Sequence, residues 1–270
     1  MGTWNALFAT RFKTVMVFRA AALSGIVAQI FFAFFKIFTL YGFMEGGTEN
    51  SPLHPDSVVV YIWLTQIFLT IIPWNVNGED LYSIRSGNIA YELVRPVNLF
   101  ALMYIKTISW RVTNSLIRVI PIVIFNMILL PILGFGEFAI TIPSGKILLL
   151  FIISITIAYL LSCMITVFLY SITLYTIDAS NFLGIINSMA LVLSGTIIPL
   201  SYFPESLQVL LILQPFKGII DTPALILTGQ YTYSESMLYI LLQLVWLLIF
   251  FLLNSVMFKK GTKKIVVQGG

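Results

Sequence analysis

The sequence predicts an all-α polytopic membrane protein with six transmembrane helices and cytoplasmic N- and C-termini. Three observations predict it. Of the 270 residues, 59% are apolar and only 10% charged, at a mean hydropathy of +0.98. Soluble domains carry roughly 25% charged and about 45–50% apolar residues, and even a chain of about 300 residues leaves roughly a quarter of its surface wet. A soluble enzyme, a nucleic-acid-binding domain and a disordered chain are excluded. Second, the apolar residues form continuous runs, where barrel strands would alternate. Third, Lys and Arg collect on one side of those runs, as the positive-inside rule requires of cytoplasmic connections.

The elements follow in order. Residues 3–16 predict an N-terminal interfacial helix, with Trp4, Leu7, Phe8 and Val15 on one face and Arg11 interrupting it; the other reading continues the first span into the cytosol. A helix crossing roughly 30 Å of hydrocarbon needs about 20 apolar residues. Runs near 17–44, 57–74, 112–133, 146–170, 181–200 and 236–258 meet that need. The chain reads as one transmembrane domain, 1–270, with no cleavable leader: its first apolar run is too long and no small-residue cleavage site follows. Twelve basic residues fall on the inner side of this scheme: Arg11, Lys13, Arg19, Arg85, Arg95, Lys106, Arg111, Arg118, Lys259, Lys260, Lys263 and Lys264. Lys146 and Lys217 fall on the outer side, and Lys36 lies within the first span.

Two connections are too apolar for plain loops. The inner one, 75–98, mixes charges with Ile84, Ile89, Tyr91 and Leu93 and stops before Pro96, which disfavours helix in the residue preceding it. It predicts a folded cytoplasmic element after span two. The outer one, 201–235, contains the ten-residue run 207–216, which is too short to span and predicts a re-entrant segment between spans five and six.

Signals for catalysis are sparse. The single histidine, His54, sits in an outer loop, and Glu79 with Asp80 reads as a helix-end pair. Ser144-Gly145-Lys146 lacks the remaining residues of a phosphate-binding loop, so no ATP site of that type is expected. Cys163, the single cysteine, reads as a small buried side chain. Charge within a membrane is the default pointer to function. Lys36 lies about 12 Å inside Met44 by helical rise, and both a structural or snorkelling role and a substrate-facing role stand open. Asn187 on the fifth span is a second candidate pathway group, with Gly184 and Gly195 allowing close helix approach.

Three motifs carry a resemblance. IRSGNIAYELVRPVN (84–98) is similar to the inner I-R-x-G…L-x-R-P segment, FKKGTKKIVVQGG (258–270) to the basic tail, and SGTIIPLSYFPESLQ (194–208) to the passage leaving span five. Together they resemble bacterial exporter permeases of the second ATP-binding-cassette membrane type, the ABC-2 family. The resemblance implies a subunit of the bacterial plasma (inner) membrane and a second permease chain, identical or paralogous. It also implies two separate cytosolic ATPase subunits that bind ATP and Mg, with no cofactor in this chain and no nucleic-acid partner. It makes the inner connection a coupling helix, assigning Ile84, Arg85, Gly87, Ile89, Leu93, Arg95 and Pro96 to ATPase contact. On this reading Ile84, Ile89 and Leu93 fill a partner's groove, with Arg85 and Arg95 at the rim. The plainer reading has the arginines meeting anionic lipid and Gly87 and Pro96 shaping a turn. The competing classes are an ATP-independent secondary transporter or channel, which would favour mid-membrane carboxylates or broken helices, and a non-transporting membrane scaffold.

Overall fold

In hydrocarbon every backbone N–H and C=O must be paired inside its own segment, so long apolar runs become helices. The computed structural model describes Thr10, Lys13 and residues 19–45, 52–73, 76–93, 97–176 and 180–264. The expected interfacial helix at 3–16 lies outside these apart from Thr10 and Lys13, both helical. Among the described residues there are helices and no strands. Four stretches are long and apolar enough to cross a membrane: Leu23–Gly42, Leu99–Ile132, Gly145–Thr173 and Tyr233–Gly261.

The first is carried by α1 (Arg19–Glu45). Helix α2 (Pro55–Ile67) starts with Pro55 in its first turn, where the missing N–H costs nothing. It stops after 13 residues, passing through a 3₁₀ turn, Leu69–Ile71, so the expected second span is a broken one. Two short helices follow, α3 (Gly78–Arg85) and α4 (Ala90–Leu93). Asn77 caps α3 by accepting from the Glu79 N–H at 3.0 Å.

Helix α5 (Leu99–Ile124) is where the structure departs most from the expected 112–133. Asn98 caps it, accepting from the Ala101 N–H at 3.2 Å, so the helix begins 13 residues early and carries Lys106, Arg111 and Arg118 inside it. Pro121 removes one ladder donor, and a π-turn follows at Phe125–Leu129. The π-turn holds the buried Asn126, whose Oδ1 accepts from the Ile140 N–H at 2.8 Å.

Helix α6 (Gly145–Thr173) is the central post, packed against α3, α5 and two later helices. Those that follow are α7 (Ser180–Leu193), α8 (Glu205–Leu213), α9 (Asp221–Leu227) and α10 (Tyr233–Gly261). The fifth expected span is therefore a 14-residue helix that breaks at Ser194. Helix α10 opens on a capping box, Thr232 with Glu235, and has Lys259 and Lys260 in its last turn. Gln243 and Asn254 clip α10 to α6 and its neighbours: the Gln243 amide reaches Gly218 O at 2.6 Å, and the Asn254 amide reaches Met164 O at 3.0 Å.

Two cores result. One joins α3, the turn after it, the start of α5, α6 and α10 through Ile84, Ile89, Met103, Tyr170 and Phe258. The other joins α1, α2, α9 and the far end of α5 through Ile37, Trp63, Ile122 and Leu225.

Candidate functional site

The inner connection is a folded unit with two unlike faces. Ile84 is 6% exposed and Ile89 is fully buried, both inside the first core. The Asn77 N–H donates to the Tyr170 hydroxyl of α6 at 3.0 Å, and Lys106 of α5 pairs with Glu92 of α4 at 3.2 Å. The other face presents Glu79, Arg85 and two aromatic rings, Tyr82 at 67% and Tyr91 at 77% exposure. Gly87 adopts φ 76°, the left-handed conformation that ends α3 and lets the Ile89 N–H close on Ser83 O at 3.0 Å. The expectation that Ile84 and Ile89 fill a groove on a partner is corrected: this chain's own α6 and α5 bury them. Leu93 closes α4, with its side chain outside the described set, and Arg95 and Pro96 lie outside the described residues.

A second constellation surrounds Arg111, which is fully buried. The break after α2 frees backbone carbonyls that no helix can pair. The Arg111 guanidinium takes the Ile71 carbonyl and the Ser162 hydroxyl, and reaches Thr166 Oγ1 at 2.7 Å. Ser162 also donates to Ile71 O, and Thr70 and Ser115 share a hydroxyl bond of 2.6 Å. One cation thus ties the broken helix to α5 and α6. The sequence places Arg111 at the entry of the third apolar run; in the structure it lies inside α5, which starts at Leu99.

A third constellation lies where α7 ends. Asp221, fully buried, accepts from Lys217 Nζ at 2.5 Å, the Tyr61 hydroxyl at 2.7 Å and the Leu200 N–H at 3.2 Å. Its own N–H donates to Ser194 O at 3.0 Å. Lys217 also lies 5.4 Å from the centre of the Tyr239 ring. Gly195 turns here with φ 80°, and a Cβ would collide with the Tyr61 hydroxyl and sit 2.9 Å from Asp221 Oδ1. Nearby, burial pushes the Tyr231 phenol well above its ordinary range, with the Asp221 charge adding to the effect. Lys217, counted above as an outer-side charge, is buried within the protein.

Lys36 donates to Thr196 O at 2.6 Å, so it serves the freed carbonyl beyond α7. Asn187 is half-buried on α7, and its Oδ1 makes no hydrogen bond among the described residues. Sequence reasoning missed Arg111, Asp221 and Tyr61. The intramembrane-charge rule applied to Lys36 would have found Arg111 had Asn98 been taken as a helix cap. The Lys217–Asp221 spacing of four residues was the signal for the ion pair.

A family model described as ABC-2 family transporter protein matches residues 24–269. No curated protein and no solved structure matches the chain.

Proposed function

We propose, since the chain belongs to the ABC-2 transporter family, that it is the permease subunit of an exporter driven by two separate cytosolic ATPase subunits. It works as a dimer with an identical or paralogous permease, in the plasma membrane of a bacterium, and the ATPases bind ATP and Mg. Six crossings are made by α1, the broken α2, α5, α6, the short α7 and α10, with α8 and α9 as the re-entrant outer segment. The cytoplasmic placing of both termini keeps its charge support. Without Arg111, Arg118 and Lys217, the Lys and Arg asymmetry is still ten to one.

The observation that carries the reading is the two-faced inner unit, α3 with α4. One face is locked to α6 through Ile84, Ile89 and the Asn77–Tyr170 bond, and the other exposes Tyr82, Tyr91 and Arg85. A push on such a unit is delivered directly to the central post. Exposed aromatic and Arg side chains are the residue types that dominate binding at protein interfaces. The test is co-purification of ATPase subunits with the tagged chain from native membranes. Tyr82→Ala with Tyr91→Ala should cut ATPase recovery at least tenfold while the permease still extracts as a folded species. Purified chain that hydrolysed ATP with no second polypeptide present would overturn the proposal, as would undiminished ATPase recovery in the double variant.

A further inference from the structure

We infer that the chain holds a binding site for the phosphate headgroup of an anionic phospholipid at the end of the bundle where α5 begins and α10 finishes. A cavity of about 420 Å³ lies between them, a size within the range of small-ligand sites. Its apolar wall is made by Leu99, Phe100 and Phe258, with the two rings 5.8 Å apart. Its polar lining includes Asn98 and Lys259, and among the described residues no carboxylate lines it.

The donors are the part that selects a ligand. Asn98 spends its carboxamide oxygen on the Ala101 N–H, which leaves its NH₂ group for a ligand. Ser255 and Thr262 spend their hydroxyl hydrogens on the carbonyls of Phe251 and Phe258 and offer no proton to the cavity. An ammonium and an amide above an apolar wall complement an anionic diester with hydrocarbon attached. They do not complement a neutral headgroup, a cation or a fully water-solvated anion. The cavity also lies at the ends of two helices long enough to span, and headgroups flank the ends of spanning helices. Basic pockets between spanning helices select such headgroups from the bilayer. Lys260 and Lys263 stand on the same helix end but do not line the cavity, so they separate a built site from a generally basic surface. The site does not depend on the transport role.

The experiment is native mass spectrometry of the purified chain. The protein is exchanged into chain-matched phosphatidylglycerol or phosphatidylcholine, and retained lipids are counted. Phosphatidylglycerol should be retained over phosphatidylcholine, and Lys259→Gln should lower that retention about fivefold, while Lys263→Gln changes it less than about twofold. Asn98→Asp gives a second reading that keeps the helix cap, since Asp caps as well as Asn; its carboxylate should expel the headgroup with the fold intact. Equal losses in Lys259→Gln and Lys263→Gln, or equal retention of the two lipids, would overturn the site. Displacement of phosphatidylglycerol by millimolar inorganic phosphate would overturn the lipid source and make this a site for the free anion.

Discussion

Removing both members of the Lys217–Asp221 pair should cost far less than the sum of removing each alone. Asp221→Ala leaves a buried ammonium, whose side chain is only 7% exposed, and takes the acceptor away from the Leu200 N–H. Breaking a buried pair from one side costs about 3–5 kcal/mol. Lys217→Met leaves a fully buried carboxylate that still accepts from Tyr61 and Leu200, so its loss falls at the low end, about 3 kcal/mol. Independent effects would add to about 7 kcal/mol. In the double variant no charge remains, and the chief debt is the unpaired Leu200 N–H, at about 1–3 kcal/mol. The assay is equilibrium unfolding in mixed micelles of increasing denaturing detergent, followed by tryptophan fluorescence, for wild type, both singles and the double. A double-variant loss within about 0.5 kcal/mol of the summed singles would refute the reasoning, because it would mean that the two charges do not sense each other.

Three further outcomes are expected. Ile89→Asp places a carboxylate at a fully buried position and should abolish the monodisperse peak in size-exclusion of detergent extracts, whereas Tyr82→Ala should leave it intact. Gly195→Ala forces a side chain into left-handed backbone against the Tyr61 hydroxyl and should lower stability by at least about 2 kcal/mol, partly restored by adding Tyr61→Phe. In a Cys163→Ala background, Gln230→Cys should react with an impermeant maleimide in intact cells, and Lys263→Cys only after permeabilisation. The reverse pattern would invert the proposed orientation.

The local parts of this fold were legible and the long-range parts were not. Helix α10 could be read almost to its limits, because an uninterrupted apolar run is flanked by a T-x-x-E cap and terminal lysines. The start of α5 was misread because three cations dilute its hydropathy. What makes Arg111 tolerable there lies in Ile71, Ser162 and Thr166, 40 to 55 residues away in sequence. Helix α9 is seven residues long, and its burial depends on Ser194, Leu200 and Tyr61 closing around Asp221. For Ile84 and Ile89, apolar character announced that something would cover them, but not that the cover is this chain's own α6. The exposed tyrosines beside them carry no periodic signal, since aromatic residues occur on both sides of such surfaces.

The break in α2 has a consequence for how the chain is made. The Ile71 and Pro73 carbonyls emerge from the ribosome before the side chains that pair them in the folded chain, Arg111, Ser162 and Thr166, have been made. Those donors are translated later, the last of them after most of α6. On the proposed six-crossing topology, the second crossing lacks these donors when its own residues are synthesised. On that topology it should wait for the fourth crossing, so that membrane insertion of the N-terminal half is finished by the middle of the chain. A nascent chain halted before residue 162 should hold its second crossing unintegrated, extractable by alkali and open to protease.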